Sequence, residues 1–134
     1  PVIPLFGRGD TRLQPVFAED VAEAAVRALT QEEPPAPLYG LGGLQIYSYR
    51  QLLERLMDFT GRRPLLIPLP LPLWDAMALA AGVLPTPPLT EGQVALMKQD
   101  NFAPPDLPGL DTLGIKPRSM DEVLARDFGP AKAS

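Results

Sequence analysis

The sequence predicts a mixed fold, α/β to α+β, mostly helical with a few short strands, over a single domain or fragment of 134 residues. Three observations carry this. Short apolar runs bounded by proline or glycine alternate with helical periodicity in the first half. Ser48/Gln51, Thr90/Gln93 and Ser119/Glu122 are capping boxes, each opening a helix. The second half holds helices without clear strands, so the strand stubs are too few and too short for a free-standing sheet.

Taken in order, residues 1–7 read as an extended segment broken by Pro4 and closed by Gly7, and residues 7–11 as a glycine turn. That turn contains Arg8-Gly9-Asp10, the tripeptide adhesion receptors read. A chain without cysteine does not look secreted, and three-residue matches arise by chance. Residues 13–18 read as a short strand weakened by Pro15. A helix follows over about 20–31, with Asp20 and Glu23 as its capping box and Val21, Ala25, Ala28 and Leu29, widened by Ala22 and Val26, as its apolar face. Residues 32–37 form a polar, proline-rich exit. Residues 38–43 read as a buried strand ending in glycines.

Ser48 opens the clearest helix, with Tyr49, Leu52, Leu53, Leu56 and Met57 at helical spacing, Gly61 as its stop and Arg62 and Arg63 beyond its negative end. Residues 65–67 form a strand between prolines. Residues 71–84 carry a single charge, Asp75, so this helix is core, the wall of a pocket, or a face for a partner. Residues 85–88 break the chain, and Thr90 starts a helix to about Gln99. Residues 101–118 are a long loop. Ser119 caps a last helix with Met120, Val123 and Leu124 inward, Gly129 ends it, and the tail to Ser134 should fray.

Composition narrows the function classes. The chain is 46% apolar and 21% charged, which is globular, but its 18 prolines are well over twice the usual ~5% and look like element boundaries. The net charge of −4, with no basic stripe, makes nucleic acid an unexpected partner. No twenty-residue apolar run or secretory-signal pattern is present. Cysteine and histidine are both absent, which excludes disulfides, Cys/His zinc sites and a Ser-His-Asp triad within these residues. The start at Pro1, on an apolar run without a cap, leads us to expect a piece of a longer protein.

Two glycine pairs begin a dinucleotide loop without completing it: Gly7 and Gly9 are followed by Arg12, and Gly40 and Gly42 by Gln45. Asp100, Asp106 and Asp111 lack the spacing of a calcium loop and read as solvated charge. Arg12 and Gln14, two apart, would point the same way on a strand. Together they could grip a phosphate, a carboxylate or a carbonyl. The plainer alternative is two surface side chains.

Arg12-Leu-Gln-Pro-Val16 followed by Asp20-Val-Ala22 resembles the segment after the catalytic domain in extended and atypical short-chain dehydrogenases/reductases, the NAD-dependent epimerase/dehydratase family. Leu38-Tyr39-Gly40-Leu41-Gly42-Gly43 with the helix capped by Ser48, and Leu113-Gly114-Ile115-Lys116-Pro117 before a capped helix, resemble its C-terminal units. The Gln-Pro-Val wording, the Pro-Leu-Pro helix at 70–84 and Pro88-Leu-Thr-Glu-Gly-Gln-Val94 resemble the branch holding the nucleotide-binding accessory subunit of respiratory complex I and its bacterial homologues.

The departures are as informative. The family's Tyr-x-x-x-Lys pair is missing: four residues after Tyr39, Tyr47 and Tyr49 stand Gly43, Gln51 and Leu53. The resemblance therefore implies a C-terminal, substrate-side portion of a Rossmann-like NAD(P)-binding protein, not catalytic by itself. Whether the parent is an oxidoreductase or epimerase stays open. NAD or NADP would bind in the parent and not in this chain alone. Arg12 and Gln14 would face the substrate pocket, with Tyr47 or Trp74 lining it.

The expected partners are the N-terminal Rossmann domain of the parent chain and a protein docked on the 71–84 helix. The alternative is a structural assembly module of a complex I-type accessory subunit without turnover, and a plainer third reading is a free-standing α/β domain. The expected location is cytoplasmic, with peripheral attachment to the inner membrane in the complex I branch.

Overall fold

A computed structural model describes residues 2–33, 36–83, 85 and 90–132. The fold is mixed α and β, mostly helical with a few short strands, as expected. It comprises β1 (Val2–Phe6), β2 (Arg12–Leu13), α1 (Ala18–Thr30), β3 (Tyr47–Ser48), α2 (Tyr49–Thr60), β4 (Leu65–Leu69), α3 (Leu71–Ala81), α4 (Glu91–Met97), a 3-10 turn (Asp111–Leu113) and α5 (Met120–Phe128). The chain forms two compact units, one from residues 1–13, 47–101 and 132–134, the other from 14–46 and 102–131.

In the first unit, β1 and β4 pair in parallel, Val2 beside Leu65 through Phe6 beside Leu69. The core is Trp74, Ala78 and Val94, against which Phe6 and Leu69 pack. Phe6 stacks on Trp74 with ring centres 4.1 Å apart and meets Tyr49 edge-on at 6.0 Å. Burial pushes the Tyr49 phenol up from its ordinary value. The Trp74 indole N–H donates to the Leu5 carbonyl at 3.0 Å, so the aromatic core also satisfies a buried strand oxygen. β2 and β3 form a two-residue antiparallel pair.

The helix of residues 71–84 is shorter than expected, and Leu84 lies outside the described residues. Trp74 and Ala78 are buried, while Leu73, Met77, Leu79 and Val83 are exposed, so one stripe serves the core and the rest does not.

The second unit is centred on Ala24, Leu110, Leu113 and Ile115, with Val16, Ala28, Tyr39 and Leu41 packed around them. Arg27 donates one guanidinium nitrogen to the carbonyls of Leu113 (2.8 Å) and Gly114 (2.9 Å), and pairs with Glu23 through another. This closes the exit of the 3-10 turn, where backbone carbonyls lack helical partners.

Three of the four predicted capping boxes, those at Ser48, Thr90 and Ser119, are present with reciprocal hydrogen bonds, and Gly61 ends α2 in the left-handed conformation. Four other expectations are corrected. First, Asp20 is no cap: α1 starts at Ala18 after Phe17, without a side-chain cap. Asp20 is instead 1% exposed, and its carboxylate accepts the backbone N–H of Arg118 at 2.9 Å. Second, this anchor turns the inner face of α1 onto Asp20 and Ala24, leaving Val26 and Leu29 exposed.

Third, the strand at 13–18 shrinks to Arg12–Leu13, since Pro15 has no N–H to give a ladder. Fourth, residues 38–43 form no strand. Gly40 donates to Pro108, but Pro104, Pro105 and Pro108 leave the neighbouring loop short of donors. The loop at 101–118 contains the 3-10 turn. The chain break at residues 85–88, the proline-rich exit at 32–37 and the tail fall in part outside the described residues.

Replacing Asp20 with alanine removes the buried acceptor of the part-buried Arg118 N–H and the partner of the Arg118 guanidinium. The expected cost is about 2–3 kcal/mol, read as a lowered urea midpoint with faster hydrogen exchange at the Arg118 amide. Unchanged exchange at that amide would contradict the anchor.

Candidate functional site

Arg12 belongs to the first unit. Its guanidinium meets Asp100 through Nε at 2.8 Å and Nη2 at 2.7 Å, and its backbone N–H donates to the same carboxylate at 2.8 Å. The side chain is still 57% exposed. The backbone hydrogen bond from Arg12, then the side-chain one, hold the Asp100 carboxyl below its ordinary 3.8. Next to it, Asn101 donates to the Arg12 carbonyl and the Thr11 hydroxyl to the Met97 carbonyl. Tyr47 sits one residue along the β2–β3 ladder, opposite Leu13, and is half-buried. Trp74 lies in the core of the same unit, 6% exposed.

Gln14 lies in the second unit, past the end of β2, so strand alternation does not set it beside Arg12. Its amide N–H donates to the Gly43 carbonyl at 2.7 Å, and its oxygen accepts the Ala103 N–H at 2.9 Å. Both ends of the amide thus hold backbone that the prolines leave without a ladder.

The two glycine pairs do not fit a pyrophosphate. A side chain at Gly9 would meet Arg50 Cβ at 3.0 Å and Leu5 at 3.3 Å, one at Gly42 would run into the Gln14 amide, and one at Gly43 would overlap the Pro15 carbonyl. The chain itself fills the space where a ligand would need glycine. Among the described residues, no three acidic side chains gather to hold a metal ion.

Sequence reasoning did not find a groove of about 550 Å³ in the second unit, lined by Glu19, Arg118, Glu122, Val123 and Arg126. The Arg118 and Arg126 guanidinium carbons each lie 4.9 Å from the centre of the Phe17 ring. Arg118 also pairs with Glu19 at 2.6 Å and with Asp20 at 3.6 Å, while Arg126 pairs with Asp127 at 2.8 Å and Glu19 at 3.8 Å. Hydrogen bonds from the Ser119 backbone and hydroxyl hold the Glu122 carboxyl below its ordinary 4.5. Each cation here already faces a carboxylate. The groove carries no surplus positive charge for an anion, and nothing in its chemistry points to a nucleophile. A phenylalanine just before a helix was the one local signal, and it reads equally as packing.

No known protein-family profile matches the chain. It is 29% identical over 130 residues to a mouse protein named NADH dehydrogenase (ubiquinone) 1 alpha subcomplex subunit 9, mitochondrial; the match covers 92% of this chain and 34% of that protein. An Arabidopsis thaliana protein of the same name is 38% identical over 77 residues, covering 57% of this chain and 19% of its own length. A protein of Oryza sativa subsp. japonica named Cyclin-B1-2 is 38% identical over 69 residues, covering 51% of this chain and 18% of that protein. The chain therefore spans about a third or less of these relatives. Two of the three are subunits of an NADH dehydrogenase (ubiquinone), in keeping with the branch the motifs resemble. Among the described residues, no helix is long and apolar enough to cross a membrane.

The depressed carboxyls set the expected acid response. For a group whose folded pKa lies below its unfolded value, the stabilisation is complete above the unfolded value and fades as pH falls through the folded one. Thermal melts should therefore show the stabilisation from Asp100 and Glu122 intact above their ordinary 3.8 and 4.5 and shrinking below them. Asp100→Asn and Glu122→Gln should each flatten that acid limb. A limb unchanged in both variants would contradict these assignments.

Proposed function

We propose that the chain is part of an accessory subunit of a complex I-type NADH dehydrogenase (ubiquinone), and that it serves assembly without turnover of its own. The observation that carries this is the match to the mouse subunit along 92% of the chain. The side-chain chemistry supports it. The side chains of Gln14, Asp20 and Arg27 hold backbone, and the Arg12 guanidinium pairs with Asp100, which also accepts the Arg12 N–H. The tyrosines lack the lysine that would make one of them an acid–base.

In this reading the rest of the subunit is a Rossmann-like domain that holds NAD or NADP, and the subunit sits peripherally at the respiratory membrane. The exposed Leu73, Met77 and Leu79 of α3 offer a face to a neighbouring protein.

A second reading keeps this region as the substrate side of an NAD(P)-binding epimerase/dehydratase-like protein. The exposed Arg12 guanidinium favours it, being able to reach an anion while Asp100 orients it. Ser48 is then its ladder partner, and Tyr47 stands one position further along.

Deleting the codons for this region in the source organism, beside a separate Arg12→Ala allele, tells the two readings apart. Native gels of the membranes should show loss of the assembled NADH:quinone oxidoreductase on deletion and normal assembly with Arg12→Ala. Normal assembly after deletion would contradict the assembly role.

A further inference from the structure

The two faces of the β1–β4 pair are treated differently. Register places Val2 beside Leu65, Pro4 beside Ile67 and Phe6 beside Leu69 on one face, because side chains alternate along each strand. At one end of this face, Phe6 and Leu69 pack against Trp74, Ala78 and Val94. The remainder is uncovered: Val2 is 57% exposed, Leu65 64% and Ile67 38%, with Pro4 exposed beside them. On the other face Leu5 is fully buried, Ile3 and Leu66 are half-buried, and only Pro68 at its end is exposed. Parallel strands ordinarily carry helices on both faces, because crossover connections put them there.

We propose that the strip formed by Val2, Pro4, Leu65 and Ile67 is covered by an α-helix of the parent chain, from outside residues 1–134, presenting a stripe of aliphatic side chains. This rests on the reading of the chain as part of a longer subunit. α3 already covers the Phe6–Leu69 end of the same face in this way, and the strip continues it with the same apolar chemistry. The mouse relative has room for such a helix, since the match covers 34% of it.

A second copy is the weaker occupant. Four side chains are far fewer than the roughly 20–30 residues a side that a stable interface needs, whereas a helix of the same chain needs no such area. An anionic membrane surface is disfavoured by the net charge of −4 and by a strip without a basic residue.

Residues 1–134 hold no cysteine, and any cysteine elsewhere in the full-length product is first replaced with serine. Leu65→Cys, Val2→Cys and, as an exposed control, Asp106→Cys are introduced singly into the full-length gene product, and maleimide labelling is timed natively and in urea. Circular dichroism melts show which variants remain folded, and two strip positions guard against loss of either. In the native protein, the strip cysteines should label roughly tenfold or more slowly than Asp106→Cys, and equally fast in urea. Native labelling as fast as the control overturns the proposal. So does protection that grows with protein concentration, which would put a second copy on the strip. The assembly reading is scored separately, by whether the Asp106→Cys protein migrates with the respiratory complex.

Discussion

Eighteen prolines take eighteen backbone donors from a chain of 134 residues, and side chains make up the deficit. Side-chain-to-backbone hydrogen bonds join the β1–β4 ladder and a few loop backbone bonds in tying distant segments together. In the second unit, Asp20 takes the N–H of Arg118, Gln14 that of Ala103, and Arg27 gives to the carbonyls of Leu113 and Gly114. In the first, Asp100 takes the N–H of Arg12, Thr11 gives to Met97 and Trp74 to Leu5. Among the described residues, every buried side-chain nitrogen or oxygen has a partner. That outcome is required where an unpaired buried polar group is costly.

This constraint bears directly on function. An arginine, a glutamine and an aspartate grouped near the start of a sequence invite a catalytic or ligand-binding reading. Here Gln14 and Asp20 hold backbone that has no ladder partner, and the Arg12 guanidinium pairs with the carboxylate that takes its own N–H. What is left for other molecules is apolar surface: the outer faces of α3 and the open strip of β1–β4. Apolar faces of this kind suit a protein that works by holding neighbours in place.

The parts of the fold written in local chemistry were legible. The boxes at Ser48, Thr90 and Ser119 need only a hydroxyl and a residue three positions on, and the stop at Gly61 needs only glycine. β1 and β4 were visible as apolar runs, though not as partners, because pairing is a long-range fact. Asp20 and Glu23 have the same spacing as a true box, and the sequence offered no way to see that Arg118, 98 residues away, claims the carboxylate. The inner face of α1 was misread for the same reason: Asp20 is buried on it beside Ala24, while Val26 and Leu29 lie outside. The groove around Phe17 was invisible because its arginines come from residues a hundred positions later.

Among the described residues, the buried polar side chains are committed to the chain's own architecture, and neither glycine pair leaves room for a pyrophosphate. Titrating the purified chain with NADH and with NADPH, by nicotinamide fluorescence or calorimetry, tests this most directly. Neither nucleotide should show saturable binding at micromolar concentrations. A saturable micromolar Kd for either would contradict it.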